Sequence, residues 1–149
     1  MKTLIVYDSL YGNTEKIAQA VGEAIGGEVS LARVGDVDVS QLKALDLLFV
    51  GAPTHAARPS PAAQEFLDKV EPRSLGGVKV AGFDTRLTNT WARIFGFAAR
   101  GIANGLKKKG GILVASPEAF YVEGSEGPLK EGELERAAGW AKQIIQGAA

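Results

Sequence analysis

Apolar and polar residues follow two different patterns along the chain. Leu4–Tyr7 and Leu47–Val50 are uninterrupted runs of β-prone apolar residues, which is the pattern of strands buried on both faces. Between Ile17 and Ile25 the apolar residues recur at helical spacing instead, and Gly26-Gly27 follows as a helix stop. The chain therefore begins as a strand, a turn and an amphipathic helix.

The same alternation continues to the last residues. Parallel strands need crossover connections, and these are right-handed in nearly all known cases, so helices are expected on both faces of the sheet. The pattern predicts an α/β protein with a doubly wound, five-stranded parallel sheet, in a single domain that spans residues 1–149. The further predicted strands are Val29–Val34, Val78–Phe83 and Ile112–Ala115, the last extending toward Val122, and the further predicted helices are Val39–Leu45, Pro61–Val70, Phe97–Lys109 and Glu133–Ile145.

Charge and composition remove several classes of function. Seventeen basic and seventeen acidic residues give a net charge of zero, so we expect no nucleic-acid partner. The absence of cysteine excludes disulfides, thiolate metal sites and cysteine nucleophiles. We also expect no metal site, no acid–base catalytic residue and no membrane insertion, and we expect a cytoplasmic location because no signal-peptide pattern or long apolar run is present.

The turn after the first strand concentrates hydrogen-bond donors. In an open α/β sheet, ligands bind at the carboxyl ends of strands, near the point where the strand order reverses. Hydroxyl groups, one side-chain amide, a flexible glycine and the first N–H groups of a helix converge there, which suits a phosphate without any lysine. The alternative interpretation is an ordinary turn with a helix cap. The turn comprises Ser9, Leu10, Tyr11, Gly12, Asn13 and Thr14.

Two further segments are predicted at the same edge of the sheet. Gly51-Ala52-Pro53-Thr54-His55 follows the third strand, and a polar segment from Asp84 through Thr85 and Arg86 follows the fourth. His55 is the only histidine, so it has no histidine partner for a metal site. Neither GxGxxG nor a Gly-Lys-Ser/Thr motif occurs, which disfavours dinucleotides and nucleoside triphosphates. A phospho-receiver is disfavoured because Gly51 stands where the acceptor aspartate would be.

The two loop motifs resemble those of one family. The turn Ser9–Thr14 resembles the phosphate loop of flavodoxins, Ser/Thr-x-Thr-Gly-Asn-Thr, with Tyr11 replacing the third-position threonine. Gly51–His55 is similar to the Gly-Ser-Pro-Thr loop of the flavodoxin domains of flavodiiron proteins and of related quinone reductases. The resemblance covers essentially the whole chain and implies a flavodoxin-like fold that binds FMN.

Carried over to this chain, the resemblance implies a role for each segment. Ser9–Thr14 would hold the FMN phosphate, and Pro53, Thr54, His55 and Ala56 would lie along one side of the isoalloxazine ring. Flavodoxins often have glycine at the position of Ala56, so we expect a costlier peptide flip and a poorly stabilised semiquinone. His55 either contacts the flavin or is a solvated loop residue.

The segment after the fourth strand would close the other side of the ring, and this match is positional only. Asp84, Thr85 and Arg86 are its candidate cofactor residues, and Arg86 would place a cation there that raises the reduction potential. Trp91 is either a stacking ring or a core aromatic at a helix start. The long connection at 116–128 is either a docking edge or a solvated loop.

Electron transfer through FMN is the function that the resemblance implies, with redox proteins or small electron donors and acceptors as partners. The alternative is an FMN-dependent NAD(P)H:quinone-type oxidoreductase, so whether the chain is a stand-alone enzyme stays open. A flavodoxin-like chain that has lost its cofactor is a further alternative.

Overall fold

A computed structural model of the protein describes residues 1–55, 58–88 and 97–148. Its strands are β1 (Thr3–Tyr7), β2 (Val29–Arg33), β3 (Leu47–His55), β4 (Arg58–Pro59), β5 (Lys79–Leu87), β6 (Ile112–Leu113) and β7 (Glu118–Val122). The helices, numbered here in chain order, are α1 (Asn13–Ile25), α2 (Pro61–Lys69), α3 (Ala98–Lys108) and α4 (Glu133–Ala148). Two short 3₁₀ helices, Val34–Asp36 and Val39–Ala44, precede β3.

The sheet has the predicted doubly wound topology. Five strands pair in the order β2-β1-β3-β5-β6, and the ladders that join them are parallel. The chain moves from β1 outward to β2 and then returns to the other side of β1 for β3. The strand order therefore reverses between β1 and β3, and the carboxyl ends of these two strands border the expected ligand crevice.

Alternating strand residues build two cores, one on each face of the sheet. Ile5 and Phe49 face α1 and α4, whereas their neighbours Val6 and Val50 face α2 and α3. Trp140 of α4 is 8% exposed and packs edge-on against three rings of the first core, those of Phe49, Phe83 and Phe120. The expectation of helices on both faces of the sheet is confirmed.

The predicted fourth and fifth strands differ in extent from those observed. β5 continues to Leu87, so Asp84, Thr85 and Arg86 lie in a strand and the prediction of a loop there is wrong. The reason is β7, which pairs with β5 from Phe83 to Leu87, while β6 pairs with only its first two residues. The predicted fifth strand is thus divided in two, and β3 likewise extends beyond Val50 to His55.

The helix bounds agree with the sequence pattern to within a few residues. Ser60 caps α2 by accepting a hydrogen bond from Ala63 N–H at 3.4 Å, and Pro61 occupies the first turn, where its missing N–H is not needed. No helix within the described ranges is long and apolar enough to span a membrane.

Candidate cofactor site

The turn between β1 and α1 places a glycine at the N-cap position of the helix. Gly12 is the N-cap residue and has φ of +90°, a left-handed conformation that favours glycine, and no atom lies within 4 Å of a Cβ built there. The space next to the helix end is therefore open. The first N–H groups of a helix have no intrahelical partner and carry the positive end of the helix dipole.

Ser9 provides partners for two of these N–H groups. Its Oγ accepts hydrogen bonds from Gly12 N–H at 3.1 Å and from Glu15 N–H at 3.3 Å. Among the described residues, no such partner is found for the N–H groups of Asn13 and Thr14, which lie between them. The turn thus presents two adjacent donors at a helix N-terminus, which is the arrangement that binds a phosphate.

The polar side chains of the turn are mostly bound to other parts of the protein. Thr14 Oγ1 is 2.8 Å from Thr85 Oγ1 on β5, in a buried hydroxyl pair. Asn13 Nδ2 donates to the carbonyl oxygen of Glu126 at 3.2 Å. Tyr11 is 58% exposed. The anion donors of this turn are therefore backbone N–H groups more than the hydroxyl groups that the sequence analysis emphasised.

The carboxylate of Glu15, in the first turn of α1, interacts with two neighbouring side chains. Glu15 accepts a hydrogen bond from Tyr7 Oη at 2.8 Å and lies 3.6 Å from the guanidinium of Arg33, which also donates to the carbonyl oxygen of Ser9 at 3.3 Å. Burial and the hydrogen bond to Glu15 raise the pKa of Tyr7. The negative charge of Glu15 is thereby compensated, which lowers its repulsion of an anion at the turn.

The carboxyl ends of β3 and β5 lie beside this turn. Pro53 is the register partner of Thr85, and Asp8, the residue after β1, donates its N–H to Gly51 O at 3.0 Å. Ser60 Oγ donates a short hydrogen bond to Asp8 Oδ2. The ends of the three central strands therefore form one continuous edge, as the sequence analysis expected.

Asp84 and Thr54 bind the start of α3. Ala99 N–H donates to Asp84 Oδ2 at 2.9 Å, and Ala98 N–H donates to Thr54 Oγ1 at 3.4 Å. Two of the candidate cofactor residues thus act as caps of a helix that follows them in the chain.

Arg86 is paired rather than free. Its Nε donates to Asp84 Oδ1 at 2.9 Å, and its guanidinium lies 3.4 Å from the centre of the Phe97 ring. The two charged side chains are 10% and 0% exposed. Burial raises the pKa of Asp84 above its ordinary value, and the Arg86 charge opposes that rise. The expected cation at this edge is therefore compensated by a carboxylate.

The structure describes fewer contacts for the remaining candidate residues. His55 ends β3, where its backbone pairs with Arg58 of β4. Ala56 and Trp91 lie outside the described residues, so their expected roles stay predictions. Leu10 is 62% exposed on the turn.

Arg33 and Glu126 lie next to the turn but are not among the site residues predicted from the sequence. Arg33 could have been suspected from its place at the end of β2, next to β1. The carbonyl of Glu126 carries no signal of its own, although the Gly127-Pro128 pair marks a turn.

Comparisons with known proteins identify the family and the fold. A sequence model of the flavodoxin family matches residues 5–140. The chain is 31% identical over 86 residues to a probable flavodoxin 1 of Bacillus subtilis, an alignment that covers 55% of this chain and 54% of that protein. The chain spans about half or less of the length of the curated relatives that it matches.

Solved structures share the fold over nearly the whole chain. A flavodoxin from the domain Archaea superposes with a TM-score of 0.81 at 22% identity, covering 99% of both chains. Flavodoxin 2 of Bacillus cereus superposes with a TM-score of 0.77 at 25% identity, covering 98% of this chain and 99% of the other. These structures therefore share the fold of this chain over nearly its whole length.

Proposed function

The chain belongs to the flavodoxin family, and from this premise we propose that it binds FMN and transfers electrons between redox partners. Members of the family bind FMN. The observation that carries the proposal is the start of α1, where the N–H groups of Asn13 and Thr14 have no partner among the described residues and lie at the point where the strand order reverses.

The chemistry of this donor set fits the phosphate of FMN. The phosphate would be held by the N–H groups of Asn13 and Thr14, with open space at Gly12 and without a lysine. Leu10 and Tyr11, both more than half exposed, would lie at the mouth of the site. Phosphate binding by backbone groups needs little reorganisation, because both residues are already held by side-chain hydrogen bonds.

The segments after β3 and β5 would border the flavin ring. Pro53 of β3 is the register partner of Thr85 on β5, and Thr54 follows Pro53 in β3. The bound cofactor supplies the electron-transfer chemistry, whereas the protein supplies binding and electrostatics. Because Arg86 is neutralised by Asp84, we expect the pair to change the electrostatic potential at the ring less than an unpaired cation would.

We propose that the partners are redox proteins or small electron donors and acceptors, and that the protein acts in the cytoplasm. The zero net charge supports a partner interface built from local patches instead of a global field.

The test is a fluorescence titration of FMN with the apoprotein, together with the visible spectrum of the purified protein. We expect bound flavin absorption and quenched FMN fluorescence, with riboflavin bound more weakly because it lacks the phosphate. Gly12→Ala should weaken FMN binding, since φ of +90° is strained for alanine. Gly35→Ala is the matched control, because its Cβ would meet nothing within 4 Å and its φ is not positive.

Failure of the wild-type chain to bind FMN after reconstitution would refute the proposal. A separate arm mixes the FMN-loaded protein with NADPH in a stopped-flow instrument. Flavin bleaching without any reductase would favour the oxidoreductase alternative over a carrier.

A further inference from the structure

A hairpin-like turn at residues 123–130 follows β7 and is closed by one antiparallel β-bridge between Val122 and Leu129. Glu123 N–H donates to Pro128 O at 2.8 Å, and Lys130 N–H donates to Tyr121 O at 2.9 Å, which closes its two arms. At the tip, Gly127 N–H donates to Gly124 O at 2.9 Å. We call this segment the 123–130 hairpin.

The tip of the 123–130 hairpin lies against the start of α1. Glu126 O accepts the hydrogen bond from Asn13 Nδ2 across a separation of 113 residues. Gly127 has φ of +102°, and a Cβ there would lie 2.6 Å from Asn13 Oδ1 and 2.8 Å from Asn13 Nδ2. Only glycine allows this approach without a shift, since Asn13 is itself 9% exposed and enclosed.

The side chains of Asn13 and Thr14 are therefore held by two different parts of the protein. The 123–130 hairpin holds the side chain of Asn13, and Thr85 of β5 holds that of Thr14. In the first turn of α1, these are the two residues whose N–H groups have no partner among the described residues. Fixing a side chain restricts the backbone to which it is attached, and so fixes the direction of its N–H group.

We propose that the 123–130 hairpin is a positioning element of the FMN phosphate site, in which Gly127 and the Glu126 carbonyl set the orientation of Asn13. The inference rests on the proposed function. In this role Asn13 orients its own backbone N–H toward the phosphate, while its side-chain amide is bound to the hairpin. The long connection after β7 is then part of the cofactor site.

The experiment compares FMN with riboflavin, because the two ligands differ only in the phosphate. In Gly127→Ala the added methyl group displaces Asn13, and we expect FMN affinity to fall about tenfold, the effect of roughly one impaired hydrogen bond to a charged group. Riboflavin affinity should change by less than about twofold. A general loss of structure would weaken both ligands alike.

The matched control is Gly124→Ala in the same hairpin. A Cβ at Gly124 would meet only Gly127 O, at 3.5 Å, and its φ is not positive. This variant should therefore keep the FMN-to-riboflavin affinity ratio of the wild-type protein.

A double-mutant cycle with Asn13→Ala isolates the contact. Shortening Asn13 removes the atoms that the new methyl group would meet, so Gly127→Ala should lower FMN affinity much less in that background. The backbone strain at φ of +102° is present in both backgrounds and cancels. An equal loss in both backgrounds would overturn the inference.

A measurement on the wild-type protein covers the case in which Gly127→Ala does not fold. Linkage is reciprocal, so a phosphate that depends on the hairpin must also stabilise it. Exchange of the Gly127 amide hydrogen should slow more with saturating FMN than with saturating riboflavin, and equal protection overturns the inference. If the wild-type chain binds neither ligand, the proposed function itself is wrong, whereas FMN binding with an unchanged ratio in Gly127→Ala refutes the hairpin role alone.

Discussion

Replacing Arg86 by methionine tests the buried ion pair beside α3. Methionine keeps an apolar stem next to Phe97 but removes the guanidinium from Asp84, whose side chain is 0% exposed. Breaking a buried pair on one side usually costs about 3–5 kcal/mol, because a charge is left without its partner. Asp84 keeps the hydrogen bond from Ala99 N–H at 2.9 Å, so the expected loss in free energy of unfolding is at the lower end of that range, about 3 kcal/mol.

The loss should depend on pH in a defined direction. Burial raises the pKa of Asp84 in the folded protein, and Arg86 opposes that rise. Without Arg86 the folded-state pKa rises further, so the protonated carboxyl is favoured on folding. The stability from the protonated form is fully present below the ordinary carboxyl pKa of 3.8 and is lost as pH rises through the folded-state value. Arg86→Met should therefore be most destabilising at neutral pH and progressively less so in acid.

Urea denaturation at a series of pH values from 4 to 7 measures the free energy of unfolding, and thermal denaturation at neutral pH measures the melting temperature. At neutral pH the melting temperature should fall by about 6–12 °C, given roughly 2–4 °C per kcal/mol for a chain of this size. Asp84→Asn/Arg86→Met removes both charges and should recover more than half of the loss. A loss smaller than about 1 kcal/mol for Arg86→Met, or one that does not vary with pH, would refute the reasoning.

Three further substitutions should change the free energy of unfolding, which urea or thermal denaturation measures. Gly51→Ala would place a Cβ 2.2 Å from the buried Phe83 ring and should destabilise the protein by about 1–3 kcal/mol; wild-type stability would show that the ring can move. Gly139→Ala, in α4 with nothing within 4 Å, should stabilise it by about 0.5–1 kcal/mol, and a loss would contradict the helix geometry. Thr14→Val should cost about 1–2 kcal/mol by leaving the Thr85 hydroxyl buried and unpaired, and Thr14→Val/Thr85→Val should recover part of that cost.

The order of strands and helices could be predicted from periodicity because each element repeats one simple pattern. Ile5 and Val6 face opposite cores, so the run Leu4–Tyr7 within β1 is continuously apolar, as expected for a strand covered on both faces. The turn Ser9–Thr14 could be predicted as a candidate anion site, and as the start of a helix, because its donors are consecutive in the chain and lead directly into α1.

The pairing of Asp84 with Arg86 could not be predicted in this way. Polar residues after an apolar run ordinarily indicate a loop, and here tertiary context overrides that tendency. β7 pairs with the end of β5 and extends it through these residues, while α3 supplies the Ala99 N–H group for Asp84. Both partners come from later parts of the chain, so no local pattern indicates them.

The separation of 113 residues between Asn13 and Glu126 also has a consequence for biosynthesis. The β1–α1 unit leaves the ribosome early, but its partner carbonyl is added only when most of the chain has been made. If the 123–130 hairpin orients the phosphate donors, nascent chains that end before it lack the contact that positions Asn13 and prefer FMN over riboflavin less than the folded protein does. The full preference for the phosphorylated flavin then arises late in synthesis, after β7 has joined the sheet.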